Sequence, residues 1–491
     1  MNRLFAHLVM MVGVLASPAM AQSGDHAVPM PAKVELAPID PQFVGEIGRM
    51  IAAASDGAVI EVPEGVYFEH IRIEKPLTLI AKGKVVIDGK GSGDIVEITA
   101  PDVTFKGFIV RNTGIDLDKE NAAIRVTAPR VTLEGNVLDD ILFGIDLRDS
   151  PDSKVIGNRI GGKKLDIARR GDGLRLWRAD RAIVEGNTIH DGRDAILWYS
   201  TGVVVRGNTG FDCRYGLHLM FSDNVTIDGN EFSRNSVGIY LMYSTGVELT
   251  NNRLISNRGP SGYGIGLKET DQFSVRDNLI VGNRSGVYID GSPFTKAKPG
   301  EFTRNTIASN DVGFTFLPSA KGNELVDNNF IDNIDQIAVA GRGSLEANKF
   351  WKGERGNFWS DYTGYDQNGD GIGDFVHESN TLFDNLMDKE PSLRLFLFSP
   401  AQQAVEFVGR AVPAVRPEPK FEDEVPLMRA VPVAALRESD RGNRWPLALA
   451  GLVLVALGGG VIAATREPRL SRSAGTAMFA RTHTTHKGVQ A

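Results

Sequence analysis

His218, Met220 and Met242 carry an imidazole and two thioethers, the side-chain types that suit a soft ion such as Cu(I). Trp177 and Trp198 stand at matching places in neighbouring repeats. An indole face beside such a site adds cation–π attraction. Tyr240 and Tyr243 complete the group. The competing reading is an apolar stripe that docks a partner or lies under the C-terminal segment, because large exposed apolar patches usually mark interaction surfaces.

A second constellation lies at Asp366, Asn368, Asp370, Ile372 and Asp374. These fill positions 1, 3, 5, 7 and 9 of a calcium loop, with Gly371 at the sharp turn and Ile372 offering its carbonyl. Position 12 is His377 in place of a bidentate glutamate, and Glu378 comes one residue late. A structural Ca²⁺ is expected here; the alternative is a Gly-Asp turn without an ion. A third group, Asp172, Asp191 and Asp194, could in principle serve glycoside chemistry, which needs two carboxyls at a set separation. Isolated aspartates at turns are more often turn formers. Cys213 is the only cysteine, so no internal disulfide forms.

The elements that position these residues are repeats. Val131-Thr-Leu-Glu-Gly-Asn136, Ala182-Ile-Val-Glu-Gly-Asn187, Val203-Val-Val-Arg-Gly-Asn208 and Val225-Thr-Ile-Asp-Gly-Asn230 share one pattern. Asn158, Asn252, Asn278 and Asn305 end related strings, and weaker copies end at Asn328 and Asn348. The alternation before each Asn has the period of a half-buried strand. Roughly 22 residues per repeat is too few for a βαβ unit, which needs about 30, but enough for one turn of a strand-only solenoid. The expected fold is all-β, a right-handed parallel β-helix (a pectin-lyase-like solenoid) over residues 35–350. Each Asn is expected to tolerate a left-handed corner and to bond the Asn of the next coil. A second string in each coil, such as Gly216-Leu-His-Leu and Gly238-Ile-Tyr-Leu, places His218, Met220 and Met242 on one outer face, because positions two apart on a strand share a face.

The ends carry different signals. Residues 1–21 read as a signal peptide, with Arg3, a short apolar stretch and Ala19-Met20-Ala21. Residues 41–54 read as a capping helix begun by Asp40 and Pro41. Residues 351–412 form a C-terminal cap that is helical in part, and 413–444 a proline-rich tether. Pro446 to Ala464 is uncharged and mostly apolar, long enough for a transmembrane helix. Five basic residues in 465–491 against Glu467 place that tail in the cytoplasm and the body in the periplasm, anchored to the inner membrane. A net charge of -7 argues against nucleic acid as a partner.

Gly171-Asp-Gly-Leu-Arg-Leu-Trp177, Ile189-His-Asp-Gly-Arg-Asp194, Arg214-Tyr-Gly-Leu-His-Leu-Met220 and Asn357-Phe-Trp-Ser-Asp-Tyr-Thr-Gly-Tyr-Asp366 resemble the NosD family of periplasmic maturation proteins. The likeness runs from about residue 35 to Arg429. It implies a non-enzymatic role in assembling the copper–sulfur centre of nitrous oxide reductase. The implied partners are that reductase, an ABC-type ATPase and permease, and a lipoprotein copper chaperone. The resemblance carries no copper motif residue by residue, and the apolar run and basic tail after residue 440 depart from its pattern. The alternative is a membrane-anchored carbohydrate-active or carbohydrate-binding β-helix, with a surface adhesin weaker still.

Overall fold

A computed structural model describes residues 45–432, apart from positions 296, 342, 380 and 416. Each repeat supplies three short strands, and each strand pairs in parallel with its counterpart one coil on. Three parallel sheets result, of 12, 13 and 12 strands. The first runs from Ala58–Val62 to Asn323–Val326, the second from Gly65–Tyr67 to Phe358–Trp359, and the third from Ile71–Ile73 to Asp335–Val339. Inward residues stack rung upon rung, as in Leu133, Val155, Val184 and Val205. They form one hydrophobic core from Ile47 to Phe421. Burial of that apolar column is the main favourable term in the fold.

The asparagines hold the corner after the first sheet. Asn136 Nδ2 donates to Asn158 Oδ1 at 3.0 Å, and the Asn136 amide donates to the same oxygen at 2.9 Å. The pattern repeats from coil to coil. The left-handed backbone falls one residue earlier than expected: Gly135, Gly157 and Gly186 have φ of 63–64°, and Asn251, Asp277 and Arg304 replace glycine in later coils. The ladder also ends differently. The rung after Asn328 is Asn357, not Asn348, with Asn328 N donating to Asn357 Oδ1 at 3.0 Å. Asn348 instead bonds Asn323. A second ladder, five residues after the first, runs through Asn235, Asn257, Asn283, Asn310 and Asn333.

At the N-terminal end, helix α1 spans Glu46–Ala53 and buries Ile47 and Ile51 on the first coil. The expected span was 41–54, of which residues 41–44 lie outside the described residues. Gly45, non-helical, occupies the N-cap, and the buried carboxylate of Glu69 accepts from Ile47 N at 3.0 Å and Gly48 N at 2.9 Å. A side chain from the first coil therefore caps the helix where Asp40 was expected to, and no Cβ fits at Gly45, which would meet Glu69 at 2.7 Å.

At the other end, α2 (Leu382–Lys389) and α3 (Pro400–Ala411) follow the last coil. The stretch read as a tether from 413 is, in its first part, structural. Glu422–Asp423 pairs antiparallel with His377–Glu378, Phe421 and Leu427 are buried, and Asn329 exchanges two hydrogen bonds with Val431. The expected signal peptide, the apolar run at 446–464 and the basic tail lie outside the described residues. Among the described residues no helix is long and apolar enough to cross a membrane.

Candidate functional site

The third sheet presents two outward columns. One reads Asp146, Arg175, Ile196, His218, Tyr240, Gly266 in register, and the other Arg148, Trp177, Trp198, Met220, Met242, Lys268. Between strands Asp194–Trp198 and Tyr215–Met220 the register slips: Asp194 faces Tyr215, while Ile196 faces His218. Gly216 and Leu217 thus oppose the single Ala195. Such a bulge bends a strand and re-aims its side chains.

His218 Nε2 lies 3.3 Å from Met242 Sδ in the next coil. First-row metals take nitrogen and sulfur at about 2.0–2.3 Å, so two ligands of one ion stand roughly 3.5 Å apart. The pair fits that spacing, and the donor set is soft. Met220 stands in register between Trp198 and Met242, two residues past His218 on the same face. The other imidazole nitrogen, Nδ1, is 3.5 Å from Asp194 Oδ2. Arg214 Nε donates to Asp194 Oδ1 at 2.9 Å, and its Nη2 donates to Oδ2. Burial alone would raise the Asp194 carboxyl, but Arg214 and His218 outweigh it and hold it below the usual range. Tyr215 and Tyr240 pack around the imidazole, with ring centroids 5.1 and 6.1 Å away.

Beside the metal-type donors lies an aromatic ledge. Trp177 and Trp198 meet at 4.5 Å. Tyr199, Phe221 and Tyr243, one residue past the Trp198–Met220–Met242 column, stack in parallel at 5.0 Å spacings. All three have left-handed backbone, with φ of 50°, 51° and 55°. The same corner is left-handed at Asp149, Arg178 and Glu269 in the flanking coils, so the conformation belongs to the solenoid and the aromatic side chains distinguish these three coils. Tyr199 and Phe221 join Tyr243, the one member of the stack expected from the sequence; their shared offset from the column is the signal that marks them. Asp194, Arg214 and Tyr215 were missed as neighbours of His218, because the bulge cannot be read from periodicity.

The remaining candidates are placed elsewhere. Asp172 is buried and doubly bonded by Arg193, at 3.0 and 3.1 Å. Burial raises its pKa. Asp191 accepts from His190 at 3.0 Å. The three aspartates are thus each engaged by a basic side chain. Cys213 is buried, which pushes its thiol up to about 12. In the 366–374 loop, Asp366 accepts from Gly369 N at 2.6 Å and Gly371 N at 2.8 Å, and Asp370 from Ile372 N at 2.8 Å. His377, at the twelfth position, is buried with its ring 4.8 Å from Trp359, so it is no calcium ligand.

A family model described as "Periplasmic copper-binding protein (NosD)" matches residues 156–364, the coils that carry both columns from Arg175 and Trp177 onward. A model for right-handed β-helix regions matches residues 84–219 and gives the solenoid its hand. A probable ABC transporter binding protein NosD from Pseudomonas aeruginosa is 33% identical over 396 residues, covering 78% of this chain and 90% of the relative. The chain belongs to the NosD family. A second NosD relative, from Stutzerimonas stutzeri and also named a probable ABC transporter binding protein, is 30% identical over 75% of this chain and 86% of its own length. Among solved structures, the A-module of mannuronan C-5 epimerase AlgE6 from Azotobacter vinelandii aligns with a TM-score of 0.48 and 15% identity, over 62% of this chain and 92% of that one. At that distance the likeness says nothing of chemistry.

Proposed function

We propose that the protein is a non-enzymatic periplasmic maturation factor that carries Cu(I) as cargo at His218, Met220 and Met242. It hands the ion to the copper–sulfur centre of nitrous oxide reductase during assembly. It works with an ABC-type ATPase and permease and receives the ion from a copper-chaperone lipoprotein. The observation that carries this reading is the convergence of His218 Nε2 and Met242 Sδ to 3.3 Å on an outward face. The family description as periplasmic and copper-binding supports it, as do the relatives' names as ABC transporter binding proteins. The aromatic ledge beside the site is the docking face for the protein that delivers or takes the ion, and the apolar run at 446–464 anchors the body to the inner membrane. The carbohydrate alternative draws less support, because Asp172, Asp191 and Asp194 are each tied to a basic partner.

The test is competitive Cu(I) titration of the full-length protein. His218→Ala combined with Met242→Ala lowers the affinity by at least about tenfold, equivalent to about 1.4 kcal/mol. Equal affinity in wild type and variant would remove the site.

We also propose that the 366–374 loop takes a structural Ca²⁺. The spacing of Asp366, Asn368, Asp370 and Asp374 supports it, and the missing twelfth ligand makes it a weak site. Calorimetry is expected to show heat of Ca²⁺ binding, and thermal scans a Tm raised relative to EGTA; the absence of both would mean that the loop is an ion-free turn.

A further inference from the structure

His218 Nδ1 is buried and makes no hydrogen bond within the usual distance limit among the described residues. The acceptor facing it is the Asp194 carboxylate, 3.5 Å away. Asp194 is 1% exposed and His218 7%. Arg193 is taken by Asp172 in the coil before, while Arg214 clamps Asp194 through both of its oxygens.

A neutral imidazole carries one N–H, and its other nitrogen offers a lone pair. A bare Nδ1 facing a buried carboxylate would set two electron-rich atoms against each other, so the proton belongs on Nδ1. Nε2 then carries the lone pair. It points at a second unprotonated donor, Met242 Sδ, 3.3 Å away. Two lone pairs at that distance are complementary to a cation between them. Metal-binding histidines commonly give their second N–H to a carboxylate, which fixes the tautomer and raises the ligand's basicity. The bulge at Gly216–Leu217 bends the strand where His218 leaves it.

We propose that Asp194, clamped by Arg214, is a positioning residue that fixes His218 as its Nδ1–H tautomer and thereby makes Nε2 the copper donor. This rests on the copper reading above, but its first consequence shows without copper. The variant Asp194→Asn is informative because Arg214 only donates hydrogen bonds. The new amide turns its oxygen to Arg214 and its NH₂ to His218, so Nδ1 becomes an acceptor and the proton moves to Nε2.

The experiment uses full-length, copper-free protein labelled with ¹⁵N at its eight histidines, followed by competitive Cu(I) titration. NMR is expected to show Nδ1–H at His218 in the wild type and Nε2–H in Asp194→Asn. The variant's Cu(I) affinity falls about 10- to 100-fold, the usual range for loss of such a partner, with an unchanged far-UV circular dichroism spectrum. An Nε2–H tautomer in the wild type overturns the proposal and needs no variant to fold. So does an unchanged tautomer in Asp194→Asn, or a switched tautomer with unchanged affinity while His218→Ala weakens binding. If the tautomer switches but His218→Ala binds Cu(I) like the wild type, the copper reading itself fails, and the donor role of Nε2 falls with it.

Discussion

Asn208 is buried between two rungs of the corner ladder, and its carboxamide has no spare capacity. Its Oδ1 accepts from Asn187 N and Nδ2, both at 2.9 Å, and its Nδ2 donates to Asn230 Oδ1 and Val184 O, both at 2.9 Å. Asn208→Ala leaves two N–H donors on Asn187 without their acceptor in a dry corner. Each buried orphan costs about 1–3 kcal/mol, so a loss of about 4 kcal/mol is expected in denaturant unfolding. Arg206→Ala, two residues away, removes only an exposed pair with Glu185 and shifts stability by less than about 1 kcal/mol. Equal effects would mean that the ladder is decoration. At this scale the sequence was legible wherever strand period decides the outcome: the columns through His218 and Met242 follow from alternation alone. It was not legible where one extra residue matters. The bulge that accompanies the His218–Asp194 contact depends on counting Gly216 and Leu217 against Ala195, and periodicity does not do that.

Among the elements, the C-terminal cap is held by a buried charge cluster. Lys420, on the returning segment, sits 2.8 Å from Asp388 Oδ2 of α2 and 3.8 Å from Asp335 Oδ2 of the last coil. Asp384 and Arg394 lie close enough to act on the group. One ammonium between two buried carboxylates cannot satisfy both, and burial pushes Asp335 up to about 7. A carboxyl raised in the folded state favours folding only while protonated. Below its ordinary value near 3.8 both states hold the proton, and nothing is gained or lost. Between that value and about 7 the unfolded chain ionises first, so stability falls as pH rises. Asp335→Asn removes this dependence. Its Tm relative to wild type is expected to rise from pH 4 to about pH 7 and then to level off in thermal scans, and a constant difference across that window would show that Asp335 is ionised throughout. The cluster was hidden in the sequence because Lys420 lies 85 residues from Asp335 and in a proline-rich stretch that composition marks as a linker. The helices near it were legible from their own periodicity.

Taken whole, the molecule is close to one-dimensional: each coil touches the coil before and the coil after, so stability sums over neighbours and fraying starts at the ends. The N-terminal end is closed by α1 and Glu69. The C-terminal end is closed by Phe421 and Leu427, with Asp423 accepting from Asn357 N at 2.7 Å and Trp359 Nε1 at 2.9 Å. Asp423 is thus the last acceptor of the asparagine ladder, on a segment 66 residues later in the chain. Ending the chain at residue 416 would uncover Trp359 and Phe350 and leave Asn357 N without its acceptor. In third-sheet order, His218 lies on the strand five before Asp335–Val339, about 24 Å along the axis at roughly 4.8 Å per coil. Hydrogen exchange should therefore show the truncated protein losing protection in the strands from Asn323 to Trp359 while keeping it from Ala58 to Asp290. Its Cu(I) affinity should match that of the full chain, because Asp194, Arg214, His218 and Met242 all lie within three adjacent coils. Loss of copper binding on truncation, with protection of the central coils intact, would mean that the end of the solenoid acts on the site across the intervening coils and that nearest-neighbour coupling is the wrong description of this molecule.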